Sequence, residues 1–518
     1  MGTRQDNPIK YLTILAIAAL IGISLGCNRS LSSLENAQLD PDRQTLMAAI
    51  ATAKVTYGPG YSLPTPRAPD APILTPTPDS PHLLPTLRNQ PEAYAVQAGD
   101  TLGQIASRYG VGVEQIAQAN SLVDVNVLAV GQSLTIPPPT PGPPGPAFKI
   151  IPDAELIFSP SSLDFDVEAF VQSQGGILAN YWEEVDGQPM NGAQIVLRLS
   201  QDYSVNPRLL LALLEHQTKW LTNLKPEENE ENYPVGLLNP QSKGLYRQLS
   251  WAADQLNRGY YLWRVNGIGA WILKDGSVVP AAATINAGTA GVQNFFSQLL
   301  NRSDWEAAVT EAGFFATYNS LFGYPFDRAI EPLLPSVLTQ PFMQLPFEPG
   351  MLWSFTGGPH GAWGSGSAWA ALDFGPPGEA SGCVPSDAWV VAVANGTILR
   401  ADHGAVIQDL DGDGNEQTGW VVLYMHIDSK DRVQPGVFLK AGERVGHPSC
   451  EGGVSTGTHV HLARRYNGEW IPADQGIPFR LDGWVSIGAG SEYDGYLELG
   501  EQKVEAFAGN TPDNLLQR

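Results

Sequence analysis

A dense run of prolines from residue 137 to residue 146 limits how this chain can fold. Each proline fixes φ and lacks a backbone N–H, so neither a helix nor an inner strand can pass through the run. The chain has 518 residues, which is too long for one ordinary core and implies several domains. The prolines therefore predict a linker at residues 138–149, with separate domains on either side.

The N-terminal segment has the features of an export signal. Arg4 and Lys10 lie before an apolar run, residues 11–26, that is short for a membrane span and ends next to Cys27. Residues 1–27 resemble a bacterial lipoprotein signal, and the resemblance implies that Cys27 is lipidated and becomes the first mature residue. An uncleaved N-terminal membrane anchor is the alternative. Both interpretations place the rest of the chain outside the cytoplasm.

The next two segments predict a spacer and a small domain. Residues 28–93 include a proline-rich stretch with few large apolar side chains, which is typical of an extended, disordered spacer. Residues 94–137 predict a compact βααβ unit. Its expected elements are a strand at 94–96, helices near 102–109 and 113–120, and a strand at 133–136.

Short segments of this unit closely resemble a LysM module. The resemblance rests on residues 96–102, 105–106 and 131–134. It implies binding to the N-acetylglucosamine-containing glycan of peptidoglycan or chitin, in a shallow groove between strand and helix ends. A small domain without a binding function is the alternative.

Residues 150–335 predict a mainly helical middle domain. Asn206 and Pro207 start a helix with an apolar face, and this helix and residues 283–289 resemble segments of lysozyme-like lytic transglycosylases. The position of the catalytic acid in that family is Gln217 here, and an amide cannot protonate a glycosidic oxygen. We therefore predict a lysozyme-like fold without glycan hydrolysis. A helical domain unrelated to lysozyme is the alternative.

The C-terminal region, residues 336–518, changes to β-type segments. Near residue 460, His459 and His461 lie two positions apart in an expected strand, so their imidazoles project from one face and could share a metal ion. Further candidate groups lie upstream: His360, Asp373 and His426.

This set resembles the lysostaphin and β-lytic family of zinc metalloendopeptidases. In that family two histidines and one aspartate hold zinc while two further histidines assist the reaction. The resemblance makes His360, Asp373 and His461 the zinc ligands. It makes His426 and His459 the catalytic residues.

The spacer between the first histidine and the aspartate, residues 361–372, is longer than in most of the family. It resembles the glycine-rich loop of the β-lytic branch. For the histidine pair, the alternative is a structural role in which hydrogen bonds satisfy both rings. We expect the remaining histidines of this region, His403 and His447, to lie in surface loops.

Two cysteines remain after the lipidation site is set aside. They are Cys383 and Cys450, both in the C-terminal region. Export to an oxidising compartment favours a disulfide between them. Two buried free thiols are the alternative.

An acidic loop predicts a second metal site. Carboxylates at alternate positions followed by glycine match the first half of a calcium loop. The expected Ca²⁺ ligands are Asp409, Asp411, Asp413 and Asn415. An acidic hairpin loop without an ion is the alternative.

The predicted fold class is multidomain α+β: a small βααβ LysM module, a mainly α lysozyme-like middle domain and a mainly antiparallel β metallopeptidase domain. The net charge of −23 at pH 7 argues against nucleic acid as a partner. We predict an extracytoplasmic, lipid-anchored hydrolase that cleaves peptide bonds of peptidoglycan with zinc and is tethered to glycan by LysM. The alternatives are a non-catalytic peptidoglycan-binding scaffold that activates other hydrolases and a secreted, protein-degrading metallopeptidase.

Overall fold

The structure is a computed structural model. It describes residues 75–85, 88–97, 100–139, 142–378 and 382–518. The predictions for residues 1–27, including lipidation of Cys27, and for most of the spacer therefore lie outside the described residues. None of the helices in the described ranges combines the length and the apolar character needed to cross a membrane.

The LysM unit forms a βααβ structure close to the one predicted. Its elements are β1 (Glu92–Ala95), α1 (Leu102–Tyr109), α2 (Val113–Ala119) and β2 (Ser133–Ile136). The two strands pair antiparallel, and the inner faces of strands and helices enclose a small apolar core. Asn120 follows α2 directly, and its side chain both donates to and accepts from the backbone of Thr135. This pair of hydrogen bonds ties the end of α2 to β2.

The middle domain is mainly helical, as the sequence predicts, with two small hairpins. Its helices are α3 (Asp153–Leu156), α4 (Val167–Gln174), α5 (Gly192–Tyr203), α6 (Pro207–Thr218), α7 (Glu228–Asn232), α8 (Leu245–Arg264), α9 (Ala287–Ser297), α10 (Arg302–Ala308) and α11 (Phe314–Phe322). Its hairpins are β3 (Trp182–Val185) with β4 (Gln188–Asn191), and β5 (Ala270–Ile272) with β6 (Val278–Pro280).

Helix α6 shows why these sequences become helical. The Asn206 side chain caps its first turn by accepting from the Arg208 N–H, and Pro207 occupies the first helical position, where no N–H is needed. The run from Leu209 to Leu214 is fully buried, so burial of apolar surface holds the helix in the core.

Gln217, at the expected position of the glycosidase acid, and nearby Glu215 both form hydrogen bonds that stabilise the fold. The buried Glu215 carboxylate accepts from the Leu221 N–H and from the Thr222 hydroxyl, at 3.1 and 2.7 Å, so it supports the turn after α6. The Gln217 amide donates to the Val235 carbonyl at 2.9 Å. Neither residue is arranged as a glycosidase acid, and the lysozyme-like interpretation stays a prediction.

The C-terminal region consists of antiparallel strands. They are β7 (Leu352–His360), β8 (Ala371–Gly375), β9 (Val390–Val391), β10 (Gly396–Asp402), β11 (Ala405–Asp409), β12 (Trp420–Met425), β13 (Phe438–Leu439), β14 (Arg444–Gly446), β15 (Val460–Tyr466), β16 (Glu469–Trp470), β17 (Arg480–Leu481), β18 (Trp484–Gly488), β19 (Gly495–Leu499), β20 (Gln502–Glu505) and β21 (Leu515–Gln517). The main sheet has the order β13-β10-β11-β12-β15-β8-β7-β21, with β16 beside β15, and a second sheet has the order β17-β18-β19-β20.

The main sheet is covered on both faces. Alternate residues of a strand project to opposite sides, so Val422 and Tyr424 of β12 enter the core of the C-terminal region. Val421, Leu423 and Met425 project the other way and enter the core of the middle domain. The middle domain is therefore packed on one face of the sheet, and the two regions share a continuous apolar core.

Buried charges cross the same interface. Asp202 at the end of α5 accepts from Arg400 of β10 at 3.0 Å, and Arg400 also pairs with Glu416. Arg465 of β15 donates to Glu416 and to the Gln201 carbonyl. Each of these guanidinium groups has a buried anionic partner, which offsets the cost of removing the charges from water.

Candidate metal centre

Four adjacent strands of the main sheet bring the predicted site residues together. Asp373 of β8 lies directly opposite His461 of β15, and Met425 of β12 lies opposite His461 on the other side. His426 therefore follows β12 at the same level of the sheet. His360 is the last residue of β7, which is the other neighbour of β8.

The histidine pair differs slightly from its prediction. Strand β15 begins at Val460, so His459 lies just before the strand, where it forms an isolated bridge with Ser449. The pair nevertheless projects to one side: His459 Nε2 lies 3.6 Å and His461 Nδ1 lies 3.3 Å from Asp373 Oδ1. The five predicted site residues thus form one cluster.

Three atoms of the cluster converge on a single point. His360 Nε2 lies 2.9 Å from His461 Nδ1 and 3.2 Å from Asp373 Oδ1, and the third distance is the 3.3 Å just given. Zinc–ligand bonds of about 2.0–2.1 Å in a tetrahedral site would place ligand atoms about 3.3 Å apart. The described side chains offer Asp373 Oδ1 no hydrogen-bond partner although the atom is buried. Both observations fit a zinc ion.

Backbone carbonyls set the tautomers of the two histidines in this trio. His360 Nδ1 lies 2.8 Å from the Gly358 carbonyl, and His461 Nε2 lies 3.0 Å from the Ala362 carbonyl. A carbonyl can only accept, so each of these nitrogens carries a proton. The opposite nitrogens, which face Asp373, therefore have their lone pairs available for a metal.

Backbone carbonyls also orient the other two histidines of the cluster. His426 Nδ1 donates to the Glu451 carbonyl at 3.1 Å, and His459 Nδ1 donates to the Gly457 carbonyl at 2.7 Å. The two rings are adjacent, with centroids 4.5 Å apart. His426 has a positive φ of 64°, a strained conformation for a residue with a side chain, and such strain is concentrated at functional sites. Both rings keep Nε2 as a proton acceptor.

Burial and neighbouring charges set the protonation of the cluster. Burial lowers the pKa of His461 below its ordinary value and lowers the pKa of His426 to about 4. Burial alone would raise the pKa of the Asp373 carboxyl, but the His360 and His459 imidazoles hold it well below its usual range. Burial alone would lower the pKa of His360, but the Asp373 carboxylate raises it above its ordinary value. These shifts favour neutral His426 and His461 and an ionised Asp373.

Sequence reasoning missed a residue next to this cluster. Tyr493, in the loop between β18 and β19, stacks on the His360 ring with centroids 4.2 Å apart. The loop is held by backbone hydrogen bonds from Gly358 N to the Tyr493 carbonyl and from Tyr493 N to the Pro359 carbonyl. The ring is half exposed, so it forms part of the wall of the site. No sequence pattern places a residue 133 positions after His360 against its ring.

Two further histidines of the C-terminal region lie outside the cluster. His403 lies in the tight turn between β10 and β11, as expected for a loop residue. The prediction that His447 lies in a surface loop was wrong. Its ring is buried against Trp389, with centroids 3.8 Å apart, and its Nδ1 donates to the Ala388 carbonyl. It therefore has a structural role.

In the acidic loop, side-chain carboxylates accept hydrogen bonds from backbone N–H groups of the same loop. The buried Asp409 carboxylate accepts from the N–H groups of Asp411, Gly412 and Gly414 at 2.9–3.0 Å. Asp413 accepts from Asn415 N and from a threonine hydroxyl in the same loop. The carboxylates of Asp409, Asp411 and Asp413 do lie close enough to share an ion. Calcium binding stays a prediction.

Cys383 and Cys450 form a disulfide, as predicted. The bridge lies beside the segment of His459, because the His459 N–H donates to the carbonyl of Ser449, the residue before Cys450, at 3.3 Å. On the other side, the Gly382 carbonyl accepts from the Thr458 N–H at 3.1 Å. The disulfide thus links two segments that both contact the approach to β15.

Replacing Cys383 and Cys450 together by serine should lower stability and weaken metal retention in parallel. The bridge closes a long loop, and its loss costs about 4 kcal/mol in the chain-entropy model. The unfolding midpoint and the zinc content after dialysis should be measured on the same samples. Two free thiols in active wild-type protein, seen by intact mass after alkylation without reductant, would refute this role.

Two protein-family models match parts of this chain. Residues 94–137 match the LysM domain model, and residues 149–334 match the model of the LasA N-terminal domain. Protease LasA of Pseudomonas aeruginosa strain UCBPP-PA14 is 26% identical over 351 residues, which are 63% of this chain and 76% of LasA. The β-lytic metalloendopeptidase of Achromobacter lyticus is 28% identical over 160 residues, 29% of this chain and 40% of that protein.

The chain thus combines a match to the LysM domain with similarity to the LasA and β-lytic metallopeptidases. This confirms the predicted resemblance to the β-lytic type of peptidase and the LysM prediction, with the same bounds for the LysM domain. Among solved structures, the M23 metalloprotease pseudoalterin is 26% identical and has a TM-score of 0.28, over 35% of this chain and 99% of pseudoalterin. The match to the LasA N-terminal domain has nearly the bounds predicted for the middle domain.

Proposed function

We propose that this protein is a zinc peptidase that cleaves peptide bonds of peptidoglycan outside the cytoplasm. The observation that carries the proposal is the convergence of His360 Nε2, Asp373 Oδ1 and His461 Nδ1 within 3.3 Å of one another. Each histidine of this trio is aimed by a backbone carbonyl, and the carboxylate oxygen is buried without a hydrogen bond from the described side chains. Kinship with the LasA and β-lytic peptidases supports the same chemistry.

In this proposal His360, Asp373 and His461 would hold the zinc ion. A bound zinc supplies a Lewis acid that polarises the scissile carbonyl and makes water acidic enough to attack near neutral pH. The Gly358 and Ala362 carbonyls keep the ligand nitrogens unprotonated. Tyr493 covers one face of His360 and limits access of solvent to that ligand.

The two remaining histidines handle protons. His426 and His459 each have Nδ1–H fixed on a carbonyl, so Nε2 is the atom that exchanges protons with the substrate. One Nε2 accepts the proton that the attacking water loses, and the imidazolium so formed can donate to the leaving amine when the C–N bond breaks. The other histidine, in its imidazolium form with a proton on Nε2, donates a hydrogen bond to the carbonyl oxygen as it gains negative charge.

The LysM domain supports peptidoglycan as the substrate. In our proposal it binds the glycan strand and raises the concentration of peptide stems or cross-bridges near the site. The N-terminal signal and lipidation at Cys27 would keep the protein at the outer side of a membrane. We further propose that the middle domain does not cleave glycan, since Gln217 has no acidic proton to donate.

Two alternatives remain distinguishable from this proposal. A non-catalytic scaffold would have lost residues of the site, whereas all five predicted residues are present and clustered. A protease acting on proteins is favoured by one finding, the similarity to a protein named as a protease, LasA. The substrate test separates the two peptidase proposals.

Digestion of purified cell-wall sacculi by the full chain tests the substrate. We expect new free amino termini in the peptide stems or cross-bridges, identified by mass spectrometry, without new reducing or anhydro-sugar ends. A His426→Ala variant serves as the control and should produce none. Cleavage of unfolded proteins with sacculi left intact would favour the protein-degrading alternative. Release of sugar ends would refute the assignment of the middle domain.

A further inference from the structure

The sheet face that carries the metal cluster continues under the middle domain. His461 and Ala463 project to the same side of β15, because alternate residues of a strand share a face. Ala463 is buried in the core that the middle domain forms with the sheet. The middle domain therefore covers the sheet at Ala463, two residues along the strand from the predicted zinc ligand His461. It is close enough to support the site.

A loop connects the middle domain with the residues of the metal cluster. Residues 361–370 join His360 to β8, the strand of Asp373, and their tip lies on helix α8 of the middle domain. The Asp254 carboxylate of α8 accepts from the Gly366 N–H at 2.7 Å and from the Ser365 hydroxyl at 3.0 Å. Glycine permits this approach, since a Cβ at residue 366 would lie 1.9 Å from the Asp254 backbone carbonyl oxygen.

The other end of the same loop holds a zinc ligand. The Ala362 N–H donates to the Ala368 carbonyl at 3.1 Å and closes the base of the loop. The Ala362 carbonyl then accepts the Nε2–H of His461 at 3.0 Å, which fixes the tautomer and the ring orientation of that ligand. A short hydrogen-bonded path thus runs from Asp254 through the loop to His461.

Close packing alone does not hold this loop. Beside the contact with α8 lies a cavity of about 600 Å³. Ser365, Gly366 and Trp369 of the loop line it, together with Arg258 and Leu262 of α8. Side chains around an open cavity cannot fix a loop by van der Waals contact on that side. The two hydrogen bonds to Asp254 are therefore the polar attachment of the loop tip, beside the edge-on contact of Trp363 with Tyr203 of α5.

We propose that Asp254 is a positioning residue for the zinc site, and that the middle domain thereby sets the zinc affinity of the peptidase domain. The inference rests on the proposed function, because it takes His461 to be a zinc ligand. Asp254 touches neither metal nor substrate. It acts by holding the loop so that the Ala362 carbonyl stays in place to orient His461.

The test compares zinc binding by full-length variants. Transfer of zinc to a chelating dye gives the affinity, and hydrogen exchange of the metal-free chain reports the mobility of residues 361–370. We expect Asp254→Ala to weaken zinc binding about tenfold, at the low end of the range for residues that support a ligand, and to speed exchange in the loop. Asp254→Asn keeps an acceptor for the Gly366 N–H and should restore most of the affinity.

Two further variants complete the design. Glu306→Ala removes a carboxylate from another helix, where its partner is Arg302 of the same helix, and should leave both readouts unchanged. Ser365→Ala deletes one of the two hydrogen bonds from the loop side and should give a smaller change in the same direction. This variant keeps the inference testable if Asp254→Ala does not fold.

The outcomes separate this inference from the proposed function. Faster exchange in the loop of Asp254→Ala with wild-type zinc affinity would overturn the inference and leave the function standing. The inference also fails if Asp254→Asn binds zinc as weakly as Asp254→Ala, since the hydrogen bond would then not be the cause. A wild-type chain that binds no zinc would overturn both.

Discussion

The His426→Ala variant should retain one zinc per chain and lose about 10²- to 10⁴-fold in peptide-bond turnover. His426 contacts the cluster through its ring but is not among the three converging donor atoms. Removing it therefore takes away a proton acceptor or donor and leaves the ligand set complete. Turnover of a peptide substrate and zinc content should be measured on the same preparation.

A matched histidine provides the control for that experiment. His403 lies in the turn between β10 and β11, outside the group of converging donors, and His403→Ala should leave both turnover and zinc content near wild type. Turnover near wild type in His426→Ala would contradict the role given to His426. Loss of zinc in that variant would instead make His426 a ligand.

Asp373→Ala should lose zinc and activity together. Its carboxylate supplies the one anionic donor of the trio, at 3.2 and 3.3 Å from the two ligand nitrogens. Loss of a direct ligand should weaken zinc binding by more than the roughly 10- to 100-fold that is typical of supporting residues. Dialysed protein should therefore contain no stoichiometric zinc, and added zinc should restore little turnover.

The control for this variant is a carboxylate on the surface of the same sheet. Asp402 is exposed at the end of β10, and Asp402→Ala should retain zinc and activity. Circular dichroism should show that both variants are folded. An Asp373→Ala protein that keeps one tightly bound zinc would contradict the ligand assignment.

Features that depend on short stretches of sequence could be predicted. The LysM elements follow from local periodicity, and the bounds of α1 and β2 agree with expectation. The His459 and His461 pair follows from the alternation of a strand, although β15 begins only at Val460. In each case the residues that decide the structure are neighbours in the sequence.

Features that depend on distant contacts could not be predicted. His447 precedes a proline, which is typical of a loop, but packing against Trp389 buries it. The contact between Asp254 and Gly366 joins residues 112 positions apart in different domains. Tyr493 approaches His360 because a loop of the second sheet lies against the end of β7. No periodicity or spacing encodes such pairings, since packing of whole elements sets them.

The zinc content of the purified full-length chain decides whether the three converging donors form a catalytic metal site. Elemental analysis after extensive dialysis should give one zinc per chain. A strong chelator should remove the zinc together with peptide-bond turnover, and added zinc should restore the turnover. A folded chain that holds no zinc after reconstitution, or that cleaves peptide bonds at full rate without it, would refute the proposed zinc peptidase.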